Sequence, residues 1–347
     1  MAQSNPSDTT TEALSDETLS AVLPESDALE SYEVVAGDSL SAIAVRFGLS
    51  LEELIHLNNI TNPNQLYVGQ VLKLRLKPPL WPELPVPLVL GRLEPPLISQ
   101  GHVAILSFGL SKTANLSAQF LGTNYHFYAP NPTSQAAILA VPVLTEPGIY
   151  ELDLAIEQAG QTQKLKLPIQ VIANNYQKES ITLTYESSNL LDADISARET
   201  AKLEGACQNF KPEQRWQDAF ASPVESVYIT SEFGILRSYN GGPYNSFHRG
   251  LDFRANATIP IFAVADGTVV LAEALDIRGN TVLIDHGLGV CSGYMHLSQI
   301  DVAVGDELKT GDQLGYAGDT GMVTGPHLHL EVRVMGIPVN PAQWLEP

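Results

Sequence analysis

The residues best equipped for chemistry are His248-Arg249-Gly250-Leu251-Asp252 and, far downstream, His327-Leu328-His329. They offer imidazoles and a carboxylate, enough for a zinc centre with three protein ligands and a fourth position open to water or substrate. That open position marks a catalytic zinc rather than a structural one. A third stretch, Tyr294-Met295-His296-Leu297, lies between them. Of the eight histidines, five (His248, His286, His296, His327 and His329) fall in this part of the chain. A lone His-x-His is ordinary on a solvated strand. Three such stretches within one apparent domain, one of them holding an aspartate, point to a metal.

The flanking residues say what must position these groups. Residues 327–334, His-Leu-His-Leu-Glu-Val-Arg-Val, alternate polar and apolar as a strand with one buried face does. Residues i and i+2 share a face, so His327 and His329 project together while Leu328, Leu330 and Val332 pack behind. In a straight strand His248 and Asp252 would stand roughly 13 Å apart, too far for one metal bonded at about 2 Å. The chain must bend between them, and Gly250 permits it. If the strand through Ser292, Tyr294 and His296 is regular, Cys291 faces away from the histidines. Cys207 and Cys291 make no metal-binding spacing, and an exported location would allow a disulfide between them.

Ser231-Glu232-Phe233-Gly234, His248 to Phe253, Ala265-Asp266-Gly267, Asp285-His286-Gly287, Tyr294 to Leu297 and Thr324-Gly325-Pro326-His327-Leu328-His329 together resemble the lysostaphin-type (LytM-like) zinc peptidases over roughly residues 223–347. The resemblance implies a small antiparallel β core and a zinc-dependent peptidoglycan endopeptidase. It implies that His248, Asp252 and His329 bind one zinc ion and that His296 and His327 are unligated catalytic histidines. Leu330 stands where an aromatic is frequent and Met295 where a small residue is frequent. With no His-Glu-x-x-His helix to supply a glutamate base, a histidine suits the role, its unperturbed pKa being near ~6.5. His327, beside His329, is expected to act as base or to orient the water. His296 is expected to stabilise the oxyanion or assist proton transfer. The sequence leaves these two roles exchangeable. His286 is expected to be structural. Tyr239, Asn240, Tyr244 and Asn245, in a Gly-rich loop before His248, are candidates for a groove wall.

A second resemblance lies near the N-terminus. Residues 32–40 and 62–72 are similar to the start and end of a LysM module, a family that binds the N-acetylglucosamine backbone of peptidoglycan or chitin. Its βααβ fold agrees with the residues. Leu40, Ile43, Ala44 and Phe47 follow helical spacing, and Ser50-Leu51-Glu52-Glu53 is a capping box. Gly37, Asp38, Ser39 and the loop Asn62, Pro63, Asn64, Gln65, Leu66 are its candidate carbohydrate contacts.

The whole chain then reads as multidomain and mainly β. Residues 1–31, polar and without Lys or Arg, read as a disordered lead-in. Residues 32–76 are the LysM module and 77–87 a Pro-rich linker. Strand-like runs with turn signals over 88–174 suggest an immunoglobulin-like β-sandwich, in which His102 and His126 are isolated. Residues 175–222 form an arm with one or two short helices, Ala197 to Phe210 and Pro212 to Phe220, and 223–347 the peptidase domain.

A net charge of −20 argues against nucleic acid as a partner. No apolar run is long enough for a transmembrane helix. The partner expected is peptidoglycan, its glycan held by LysM and its peptide in the cleft. Export to the periplasm, wall or exterior follows, although no signal segment is visible, and a leader removed upstream would reconcile the two. The alternative is a non-catalytic wall-binding protein or an activator of another hydrolase, which a full set of ligands and catalytic histidines disfavours.

Overall fold

The computed structural model describes residues 28–174, 176–182 and 193–345. At the N-terminus, strands Ala28–Glu33 and Val71–Leu76 pair antiparallel with Ala28 opposite Leu76. Between them lie helices Leu40–Arg46 and Leu51–Leu57. Ser39 caps the first helix by accepting from the Ala42 N–H, and Ser50 and Glu53 form the capping box of the second. The expected lead-in is corrected at its end. Residues 28–31 belong to the strand, paired residue for residue with Lys73 to Leu76, which gives the facing backbone groups their partners. Residues 1–27 lie outside the described residues.

The module's core (Leu40, Ile43, Ala44, Phe47, Leu54, Leu72, Leu74) also takes in Leu97 and Ile172 from the next domain. Gly48 packs so closely on Ile149 that a Cβ there would stand 2.7 Å from its Cδ1. The module is therefore docked on its neighbour. The Pro-rich linker is held too, because Trp81 donates from Nε1 to the Pro168 carbonyl at 3.1 Å.

The next domain has two sheets. One runs Leu88–Glu94, Val103–Leu110, Ser134–Ala140, Tyr128–Asn131 in space, and the other Ile98–Ser99, Gln161–Ile172, Gly148–Gln158, Asn115–Phe120, Thr123–His126. Alternate residues, such as Leu152, Leu154 and Ile156 against Leu167, Ile169 and Val171, enter the core. That core continues into the C-terminal domain. Hydrogen bonds cross the junction from Val103 N to Gln343 Oε1 (2.9 Å) and from Asn340 N to the Gly101 carbonyl (2.8 Å).

The C-terminal domain is built on an antiparallel sheet. Its spatial order is Ile229–Ser231, Leu251–Arg254, His327–Val334, Val290–Leu297, Gly279–Asp285, Gly267–Leu275, Glu307–Leu308, with Ile337–Val339 also on His327–Val334. Leu328, Leu330 and Val332 are buried in the main core, as the alternation requires. The arm holds one helix, Ala193–Cys207, among the described residues. The expected continuation to Phe210 and the expected helix from Pro212 to Phe220 do not form. Instead Trp216 and Phe220 join Trp344 in an aromatic cluster, and Lys211 and Arg215 bond the Asp285–Leu288 turn through their backbones. Tertiary packing overrides helical composition here. No helix among the described residues is long and apolar enough to cross a membrane.

Candidate metal centre and catalytic site

Register brings the chemistry together. Asp252 sits directly opposite His329, and Arg254 opposite His327, on neighbouring antiparallel strands. Cross-strand partners share a face, so Asp252 and both histidines emerge on one side. His248 directly follows the strand Ser246–Phe247, and the chain bends at Gly250 before Leu251–Arg254 begins. Gly250 is needed for space rather than for an unusual φ. A Cβ there would overlap the Leu330 carbonyl and approach His329 Nε2 to 2.9 Å.

Three donor atoms converge. His248 Nε2 lies 3.0 Å from Asp252 Oδ1 and 3.1 Å from His329 Nδ1, and His329 Nδ1 lies 2.7 Å from Asp252 Oδ1. A tetrahedral zinc with bonds of about 2.0–2.1 Å has ligand atoms about 3.3 Å apart, close to this triangle. The outer ring nitrogens fix the tautomers. His248 Nδ1 donates to the Glu232 carbonyl at 2.7 Å, with Ser231 Oγ at 3.2 Å. His329 Nε2 donates to Glu331 Oε1 at 3.3 Å. When neutral, both rings thus turn a lone pair inward beside a carboxylate oxygen, three acceptors facing one point that a metal cation, or in its absence a proton on His329, satisfies. Asp252, His248 and His329 accordingly fit zinc.

The electrostatics agree. Burial opposes it, yet hydrogen bonds with Asp252 and Glu331 push His329 up to about 9. Burial raises Asp252, but the hydrogen bonds with His248 and His329 outweigh it and hold the carboxyl well below the usual carboxylate range. Burial draws His248 down.

His296 and His327 flank this triangle, with ring centroids 5.0 Å apart and that of His296 6.1 Å from His329. His327 Nε2 lies 3.7 Å from Asp252 Oδ1. Each donates from Nδ1 to a carbonyl, Thr320 for His296 and Gly325 for His327, both at 2.9 Å. Their Nε2 atoms are therefore acceptors when the rings are neutral. Burial, reinforced by His329, lowers His296 to about 3.

His296 reaches the site through an irregularity. Asn280 pairs Leu297 but Val282 pairs Tyr294, which leaves one extra residue on the histidine strand, and His296 has φ +64°. The strand is thus not regular, and the expected facing of Cys291 is corrected. Cys291 pairs Arg333, on the same face as Glu331 and His329. The extra residue flips the alternation between Tyr294 and His296. Cys207 and Cys291 are buried free thiols within one apolar cluster.

His286 Nδ1 donates to the Asp266 carbonyl at 2.8 Å, and its Nε2 is 2.8 Å from Ser292 Oγ, in a buried network remote from solvent. Tyr244 in the expected wall loop bonds Ser180 Oγ at 3.0 Å. In the N-terminal module, Asp38 accepts from the Tyr32 hydroxyl (2.6 Å) and the Val35 N–H (2.9 Å), and Ser39 is the helix cap, so both side chains already serve the fold. Asn62 to Gln65 are exposed. The sequence reading overlooked Glu331, although i, i+2 alternation from His329 places it on the site's face. Glu199 and Arg278, which support His296, carry no comparable signal.

Residues 246–341 match the model of peptidase family M23, and residues 32–75 match that of the LysM domain. The chain is 40% identical over 119 residues to the peptidoglycan DD-endopeptidase ShyA of Vibrio cholerae, a stretch covering 34% of this chain and 28% of that protein. It is 43% identical over 124 residues to the DD-carboxypeptidase/endopeptidase Mpg of Neisseria meningitidis, covering 34% of this chain and 27% of that protein. The chain thus spans under a third of the length of these relatives. A crystal structure of a putative M23 peptidase from Pseudomonas aeruginosa superposes with TM-score 0.54 at 27% identity, covering 71% of this chain and 93% of that one.

Proposed function

We propose that this chain, which joins a peptidase family M23 domain to a LysM domain, is a zinc-dependent peptidoglycan endopeptidase directed to its substrate by LysM. The observation that carries the reading is the inward-facing triangle of His248, Asp252 and His329 with two further histidines presenting Nε2 acceptors beside it. His248 through Nε2, Asp252 through Oδ1 and His329 through Nδ1 would hold the metal. A bound zinc supplies Lewis acidity toward the scissile carbonyl and lowers the pKa of water.

The protein's own groups do the rest. His327, the more exposed of the two free histidines, accepts the proton of the attacking water at Nε2 and passes it to the departing amine. His296 is held neutral by burial and starts as an acceptor. It therefore orients the water by accepting a hydrogen bond from it at Nε2. Glu232 and Glu331 hold the ligand rings in orientation.

The names of the two relatives support a D,D-peptide bond in the crosslink as the target. Such a substrate lies outside the cytoplasm, which supports a location in the periplasm or wall. The exposed residues Asn62 to Gln65, with half-buried Leu66, and Gly37 are the sugar contacts that remain available in the LysM module. A purely wall-binding role would leave the whole cluster of four histidines and one aspartate without a use.

The test is mass spectrometry of fragments from purified, crosslinked peptidoglycan treated with zinc-loaded protein and with His329→Ala. New peptide ends produced only by the intact site are expected. One bound zinc with no new ends would refute the reading.

A further inference from the structure

We infer that the catalytic unit begins with the helix Ala193–Cys207, well before the segment that matches the peptidase family, and that Glu199 on this helix is a positioning residue for His296. The inference rests on the reading of His296 as catalytic.

The helix lies against the sheet near the site. Arg198 pairs with Asp276 at 3.0 Å and Lys202 with Glu273 at 2.7 Å. Leu203 and Cys207 sink into an apolar cluster with Leu271, Leu283, Cys291 and Met295. Between these contacts Glu199 is only 2% exposed. A buried carboxylate needs partners, and those of Glu199 all belong to one turn. Its Oε1 accepts from the Ile277 N–H at 2.9 Å and its Oε2 from Arg278 Nη1 at 2.9 Å. Arg278, itself buried, also donates to Thr200 Oγ1 at 3.1 Å.

This turn sets His296. The Arg278 carbonyl accepts from the His296 N–H at 2.9 Å. Gly279 fits against Thr320, leaving no room for a Cβ, and the Thr320 carbonyl accepts from His296 Nδ1. Both hydrogen bonds that orient His296 therefore lead to the Ile277–Gly279 turn. His296 holds a backbone conformation, φ +64°, that a residue with a Cβ keeps only when its surroundings impose it. Glu199 grips the backbone and the side chain of the turn at once, so releasing it frees both supports.

The test uses the full chain, zinc-loaded, with a purified crosslinked muropeptide. Glu199→Ala is expected to lower kcat about 10- to 100-fold, the scale of a small misplacement of a catalytic group, with KM and zinc Kd unchanged within about twofold. Glu199→Gln, which keeps one acceptor, should fall between. Leu203→Ala, which loosens the same helix without touching the clamp, should lower Tm and leave kcat within about twofold. Unchanged kcat in Glu199→Ala, or a kcat loss in Leu203→Ala that tracks Tm, would overturn the inference.

A readout independent of turnover is the NMR signal of the His296 Nδ1–H. It should be protected from solvent exchange in the parent and Leu203→Ala, and exchange-broadened in Glu199→Ala. Protection retained in Glu199→Ala would overturn the clamp. If the parent protein cleaves nothing, the proposed function falls, and this signal alone decides the clamp.

Discussion

Replacing Glu331 with glutamine should weaken zinc binding about 10- to 100-fold, or about 1.4–2.8 kcal/mol, the usual effect of losing a carboxylate behind a metal-binding histidine. Glu331 is 2% exposed, with Oε1 3.3 Å from His329 Nε2 and Oε2 2.7 Å from Arg333 Nε. Glutamine can serve one of these partners with its carbonyl but not both, and it removes the charge. The pH of the assay decides whether the effect is seen. Burial works against it, but Asp252 and Glu331 push His329 up to about 9, so at neutral pH a proton competes with the metal. The substitution weakens that competition too, and near neutrality the two effects partly cancel. The loss should therefore appear in full only above pH about 9, where the ring is neutral in both proteins, measured against a competing chelator in zinc-buffered solution.

Stability separates from binding. Arg333, 1% exposed, would lose its counter-charge, at a cost of about 3–5 kcal/mol for a broken buried pair. Replacing both members, Glu331→Leu with Arg333→Met, should recover most of the Tm but not the zinc affinity. A Kd at high pH within twofold of the parent for Glu331→Gln, or full recovery of Kd in the double variant, would refute the reasoning.

Three further outcomes are expected. His329→Ala should carry no zinc and cleave nothing, whereas His296→Ala should keep one zinc per chain by metal analysis yet lose hydrolysis; full activity in either would overturn the assignment. His286 is buried, and desolvation lowers it to about 4 from 6.5, so the unfolded chain binds the proton more tightly. Stability should then be complete above pH about 6.5 and fall by about 3 kcal/mol as pH drops toward 4, a slope that denaturant titrations should find reduced in His286→Gln. Deleting residues 1–76 should reduce binding to purified wall more than hydrolysis of a soluble crosslinked peptide, and should also lower Tm because Leu97 and Ile172 lose their cover; equal losses of binding and hydrolysis would make the module purely structural.

Much of the site was legible from residue order. The alternation from His327 to Val334 put both histidines on one face, and a metal shared by His248 and Asp252 required a bend that the structure places at Gly250. Periodicity and capping also outlined the N-terminal helices. These features are local: a period of two or 3.6 residues and a capping side chain act over a few positions, and sequence records them directly. Tertiary structure decided the rest. Only pairing between strands places Asp252 opposite His329, and only the extra residue near His296 turns that ring to the face that Cys291 shares through its pairing with Arg333. The helix Ala193–Cys207 reads from sequence as an unremarkable arm, yet Glu199 grips Arg278 from 79 positions away. Such contacts depend on where distant segments meet in space, and no local pattern of residues encodes that meeting.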